Sequence, residues 1–158
     1  MRVLGFAAVQ LCLLVCTSLG AESWLLVRPG MDVASHEAAW RAACHDFVLT
    51  DNKGKENYLT CSFENGDAAT ANISPQGIAW WAAYQDASGR PKSEFVSRVL
   101  NELAISGPGA ACTVYDEAAE CWQAGKVRVA IDIEASAGRW FVQMEDRTIF
   151  DPDAPVKE

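Results

Sequence analysis

Half of this 158-residue chain is apolar, and 21 carboxylates face 13 basic groups for a net charge of −8. That length suits one buried core, and an acidic surface repels phosphate backbones and anionic lipid surfaces, which disfavours nucleic acid and membrane as partners. Beyond the first twenty residues no stretch approaches the ~18 apolar residues of a membrane span.

Residues 1–20, "MRVLGFAAVQLCLLVCTSLG", place Arg2 before an apolar run from Val3 to Val15 and end on small residues. This is the layout of a cleavable secretory signal, with cleavage expected after Gly20 or Ala21 and a secreted or periplasmic destination. Leu11 and Val15 precede Cys12 and Cys16 where a lipoprotein signal would carry a small residue. Removal of the signal leaves Cys44, Cys61, Cys112 and Cys121. An even set in an oxidising compartment implies two disulfides. The expected organisation is a signal at 1–20, a single domain at 21–150 and a flexible acidic tail at 151–158.

In chain order, Trp24 to Val27 is a short apolar run stopped by Pro29 and Gly30, and it predicts an edge strand. Trp40, Cys44, Phe47 and Val48 then recur at helical spacing, Asp32 can cap the start and Glu37 stands four before Arg41, predicting a helix over 33–48. The period changes to two at Leu59, Cys61 and Phe63, and Asn65-Gly66 predicts a tight type I′ hairpin turn. Helix against hairpin brings Cys44 to Cys61, closing a loop of about 17 residues worth ~3 kcal/mol.

"SPQGIAWWAAYQD" alternates Ile78, Trp80, Ala82 and Tyr84 and is read as a third strand, although Ser74-Pro75 could open a helix. As a strand it places Trp80 and Tyr84 on one face and Trp81 on the other. A second helix follows, capped by Ser93, with Phe95, Val96, Val99, Leu100 and Leu103 as its stripe and Gly107-Pro108 as its stop. "KVRVAIDIEASAGRWFVQME" then predicts a hairpin with Val127, Val129, Ile131 and Ile133 inward, turning at "ASAG". The fold class that results is α+β: an antiparallel sheet of hairpins with two helices packed on one face and two disulfides. Two successive helix-then-hairpin units hint at a duplication, but their residues do not align well enough to assign one.

The segment 112–121 decides between two readings. A helix there would hold the two Cα atoms ~13 Å apart, beyond the ~7 Å that a disulfide spans. Pairing Cys112 with Cys121 therefore predicts a loop with "TVYDEAAE" at its tip. The helical reading, supported by Val114, Ala118, Cys121 and Trp122, would require another pairing.

No strong catalytic motif is present. There is no Gly-x-Ser-x-Gly and no Cys-x-x-Cys. His36 and His45 fall on opposite sides of the predicted helix and cannot share a metal ion. "DNKGKEN" lacks the glycine of a calcium loop, and no cofactor is expected. The aromatic cluster Trp80, Trp81 and Tyr84 and the loop residues Thr113, Val114, Tyr115 and Asp116 are the candidate partner-binding residues.

Cys112-Thr113-Val114-Tyr115-Asp116, Trp122-Gln123-Ala124-Gly125-Lys126 and Leu59-Thr60-Cys61 are similar, in the same order, to fragments of the Streptomyces subtilisin inhibitor family. The resemblance covers about a tenth of the chain. The loop is one residue short, the spacing from Cys61 to Cys112 is too long and the closing Phe-x-Asn-x-Cys pattern is missing, so membership is not assigned. The resemblance implies a disulfide-anchored loop presented to a serine protease. The function expected is thus a small exported binding protein, an inhibitor or accessory factor of another exported protein, rather than an enzyme. Two rivals are a small exported hydrolase using a His/carboxylate pair and a structural subunit of an envelope assembly.

Overall fold

The computed structural model describes residues 25–53, 55–114, 117–134 and 139–154; the predicted signal, the "ASAG" turn and the last four residues lie outside them. Among these described residues ten elements follow one another: α1 (Val33–Ala43), β1 (Asp46–Leu49), β2 (Asn57–Ser62), β3 (Ala68–Ile73), β4 (Ala79–Asp86), α2 (Lys92–Glu102), β5 (Ala110–Val114), β6 (Glu117–Ala124), β7 (Val127–Glu134) and β8 (Arg139–Glu145). The eight strands form one antiparallel sheet in the order β1-β2-β3-β4-β8-β7-β6-β5. One face carries Leu59, Cys61, Ala69, Ala71, Ala82, Tyr84, Val142, Met144, Val129, Ile131 and Trp122, and this alternating set meets Trp40 of α1 with Phe95 and Val99 of α2 in a single core. The α+β class and the two bridges, Cys44–Cys61 and Cys112–Cys121, are as the sequence predicts.

The topology is a repeat. Each half is a helix followed by four strands, and the two halves meet where β4 pairs with β8 at the middle of the sheet. The central strands also match in sequence, Trp80-Trp81 to Asp86-Ala87-Ser88 against Trp140-Phe141 to Asp146-Arg147-Thr148. Both aspartates are buried, and each closes the same turn: Oδ1 of Asp86 accepts from the Ser88 amide at 2.6 Å, and that of Asp146 from the Thr148 amide at 2.9 Å. The free oxygen of Asp86 is answered by the Arg90 guanidinium. Identical turn chemistry at both strand ends gives the duplication that the helix-then-hairpin pattern hints at a structural basis.

Several elements differ from expectation, each for a local reason. The first helix stops at Ala43, with Asp32 capping it through the Ser35 amide at 2.8 Å. Phe47 and Val48, read as its last turn, belong to strand β1, because aromatic and β-branched residues pair well across from Cys61 and Thr60 and the Cys44–Cys61 bridge draws the chain onto the sheet. The apolar run before α1 forms no strand in the described residues 25–27; Leu25 and Val27 instead bury against the core, and Leu26 offers its carbonyl to the Trp40 indole at 3.1 Å.

The β2–β3 turn is wider than type I′. Phe63 and Asp67 close it, the Gly66 amide bonds the Phe63 carbonyl, and Gly66 alone in the turn has positive φ, at 87°. That is a type I turn followed by a glycine bulge, for which Asn65 needs no left-handed backbone. Ser93 lies inside α2, whose cap position is Pro91. The helix ends in a Schellman arrangement, Ile105 amide to Leu100 carbonyl and Ala104 amide to Asn101 carbonyl, with Ala104 in the left-handed position at φ 52°. Residues 112–114 and 117–121 are neither helix nor loop but strand. They form the β5–β6 hairpin, bridged diagonally between Cys112 and Cys121 with Cα atoms 6.0 Å apart. Of the predicted tail, Asp151 and Asp153 both pair with Arg147.

A buried hydroxyl links the stability of the fold to alkaline pH. Tyr84, 5% exposed, donates to the Asp67 carboxylate, which also accepts from Asn65 and from the Ala87 amide. Burial, reinforced by that carboxylate, holds the phenol far above its ordinary value of 10.0. The folded state therefore favours the protonated form. Its contribution is complete below the unfolded value near pH 10 and is lost as pH rises further, because the unfolded chain releases the proton first. Tyr84→Phe is expected to cost about 1–3 kcal/mol at neutral pH by leaving Asp67 short of a donor, and to flatten the loss of stability above pH 10. Urea midpoints from pH 7 to 11 measure both; an equal alkaline slope in the two proteins refutes the assignment.

Candidate functional site

The sheet face opposite the helices bears no described helix, and its side chains follow from register. Tyr58, Asn72, Trp81, Glu145 and Arg128 stand directly opposite one another in turn across β2, β3, β4, β8 and β7, forming one row. The neighbouring row runs Thr70, Ala83, Gln143, Ala130 and Cys121. Small alanines on both sides of Gln143 sink the floor there.

At this point the face holds a groove of about 560 Å³, lined by Asn72, Trp80, Trp81, Thr113, Val114, Arg128, Ala130, Gln143, Glu145, Arg147, Pro152 and Asp153. In a flat sheet β4 and β5 would stand about 19 Å apart, four strand spacings. Residues of both line one groove because the twisted sheet curls its β5–β6 edge over this face. Arg128 fastens the curl: its guanidinium donates to the Thr113 carbonyl at 3.4 Å and lies 3.5 Å from Cys121 Sγ.

The sequence-predicted residues divide as follows. Thr113, Val114, Trp80 and Trp81 come together in the groove. Tyr115 and Asp116 lie outside the described residues. Tyr84 points the other way, into the core, bonded to Asp67. Trp80 was expected to share Tyr84's face. It joins Trp81 instead because the register shifts between Asn72 and Ile73, leaving Trp80 as the extra residue of a bulge that breaks the alternation. Its indole donates to Glu56 at 2.9 Å and its ring meets Phe150, so Trp80 is a wall held in place, while Trp81 is the more accessible ring.

Charge in the groove is internally paired. Arg128 meets Glu145 at 3.0 Å, and Arg147 meets Glu145 at 3.5 Å and Asp153 at 2.8 Å. Gln143 is 8% exposed and, among the described residues, its side-chain amide has no hydrogen-bond partner. Sequence reading missed Gln143, Asn72 and the paired charges. Only the register of β3, β4, β7 and β8 assembles them.

The two histidines separate. His36 gives a ring nitrogen to the Asp32 carbonyl region at 2.8 Å and stacks on Trp40, both structural tasks, whereas His45 is exposed beyond the helix end and holds β2 through its backbone amide. A second cavity of about 460 Å³ between the helices is lined by His36, Trp40, Phe63, Tyr84 and Arg98 among others. Among the described residues no three His, Cys, Asp or Glu side chains converge as a metal site, and no helix is long and apolar enough to cross a membrane.

No family model matches the sequence, and no curated protein does either. Among solved structures the chain is similar to a cysteine-rich secretory protein from Staphylococcus aureus subsp. aureus Mu50, at 10% identity and a TM-score of 0.39, over 82% of this chain and 51% of that one. The chain thus spans about half the length of that protein. Its two formed disulfides are compatible with an extracellular location.

Proposed function

We propose that this is an exported, non-catalytic binding protein that engages another exported protein, as inhibitor or accessory factor, through the β5–β6 hairpin. The observation that carries the reading is that Thr113 and Val114, at the end of the disulfide-bridged hairpin, arrive beside Trp81 of β4 in one groove. A hairpin already clamped by Cys112–Cys121 and pinned by Arg128 loses little entropy on docking. An aromatic wall beside it supplies the kind of anchor on which interfaces concentrate their energy. Edge strand β5, which ends the sheet, offers unpaired backbone groups to an extended segment of the partner.

A photo-crosslinker at Thr113, with a control at Ser97 on the exposed side of α2, tests this in the medium where the protein is exported. One defined heteromeric adduct from position 113 and none from 97 is the expected result. Equal labelling from both positions, or none from 113, refutes it.

A further inference from the structure

We propose that the cross-strand row on the helix-free face is a binding site for a neutral, extended, β-linked glycan, a ligand additional to the protein partner of the hairpin. The rings set the geometry. Tyr58, 48% exposed, and Trp81 lie on the same face two strands apart, about 10 Å. In an extended β-1,4-linked chain alternate sugars present the same face, at a separation close to two strand spacings. A glycan lying across the strands therefore sets one pyranose face on each ring and the intervening sugar over Asn72. Aromatic faces receive the C–H groups of a sugar as they receive other weakly positive edges.

The polar groups fit the same ligand. Asn72 stands between the rings with no side-chain hydrogen bond among the described residues, and Gln143 lines the groove one row away with its amide likewise open to a ligand. An amide's adjacent donor and acceptor suit paired sugar hydroxyls. Arg128 and Arg147 are answered within the groove by Glu145 and Asp153, so the lining has no unmatched charge to attract an ion. Matched charge beside open amides selects a neutral, hydroxyl-rich molecule.

Calorimetric titration of the mature chain with cellohexaose and chitohexaose, with maltohexaose as the α-linked control, tests the site, together with amide spectra that follow the Gln143 side chain and the Trp81 indole. At least one β-linked hexamer is expected to bind saturably and shift both resonances, and Tyr58→Ala and Trp81→Ala are each expected to weaken it about tenfold. Tyr58 is exposed, so its variant separates lost contact from lost fold. Absence of binding by both β-linked probes, equal binding of maltohexaose, or wild-type affinity in both variants overturns the inference. The hairpin reading is tested separately. A chain that binds no hexamer but still crosslinks its partner from Thr113 loses only the glycan site, and the converse loses only the partner.

Discussion

Trp40→Ala is expected to remove about 4 kcal/mol of stability, a large part of the total for a domain of this size. Trp40 is 1% exposed and is the one residue of α1 that is fully buried, so the helix is held to the sheet by a single large side chain and the bridge that follows it. The indole also donates to the Leu26 carbonyl, tying the segment of Leu25 and Val27 into the same core. Truncation leaves a void beneath α1 and an unpaired carbonyl in the preceding segment, and the two losses add. Trp40→Phe keeps most of the packing and is expected to cost about 1–2 kcal/mol, chiefly the hydrogen bond. Urea unfolding measures both, as a lower midpoint at unchanged slope. Hydrogen exchange at residues 26–31 should accelerate with α1 in the Ala variant. A loss below about 1 kcal/mol, or protection lost in α1 alone, would show that the N-terminal segment is held by other contacts.

The fold was most legible where periodicity reports burial. Leu59 and Cys61, Val129 and Ile131, and Val142 and Met144 alternate in sequence and face one core in space. The distance between bridged cysteines excluded a helix at 112–121, and that exclusion holds in the hairpin found there. The boundary of α1 was not legible, because Phe47 and Val48 sit at positions that continue a helical stripe while their side chains suit a strand; pairing with β2 decides the matter, and it is a tertiary fact. The face of Trp80 was misread for a similar reason, since a bulge inserts one residue without a signature in composition. The groove itself was the least legible feature. Thr113, Val114, Trp80 and Trp81 were singled out as two separate stretches, and what joins them is the curl of the sheet, which depends on all the strands between β4 and β5.

Replacing each disulfide by alanines is expected to give two different outcomes from nearly equal entropic effects. In the chain-entropy relation, the Cys44–Cys61 and Cys112–Cys121 loops, of sequence separation 17 and 9, restrain the unfolded chain by about 3 and about 2.7 kcal/mol respectively. The native contexts differ. Cys61 is buried in the core beside Leu59 and Ala69, and Cys44 ends α1, so Cys44→Ala with Cys61→Ala also leaves a cavity under the helix; its loss should exceed about 3 kcal/mol and lower the urea midpoint strongly. Cys112 and Cys121 lie on the opposite face at the sheet edge, where β6 is still paired with β7 along six residue pairs. Cys112→Ala with Cys121→Ala should therefore cost no more than about 3 kcal/mol and leave the β7–β8 core protected in hydrogen exchange. What it releases is the curl, because Cys121 Sγ is one of the contacts that Arg128 uses to hold β5 over the groove. Crosslinking from Thr113 should then fall several-fold in a protein that remains folded. If the second double variant unfolds as readily as the first, the edge hairpin is part of the cooperative core; if crosslinking is unchanged, the bridge does not shape the binding surface.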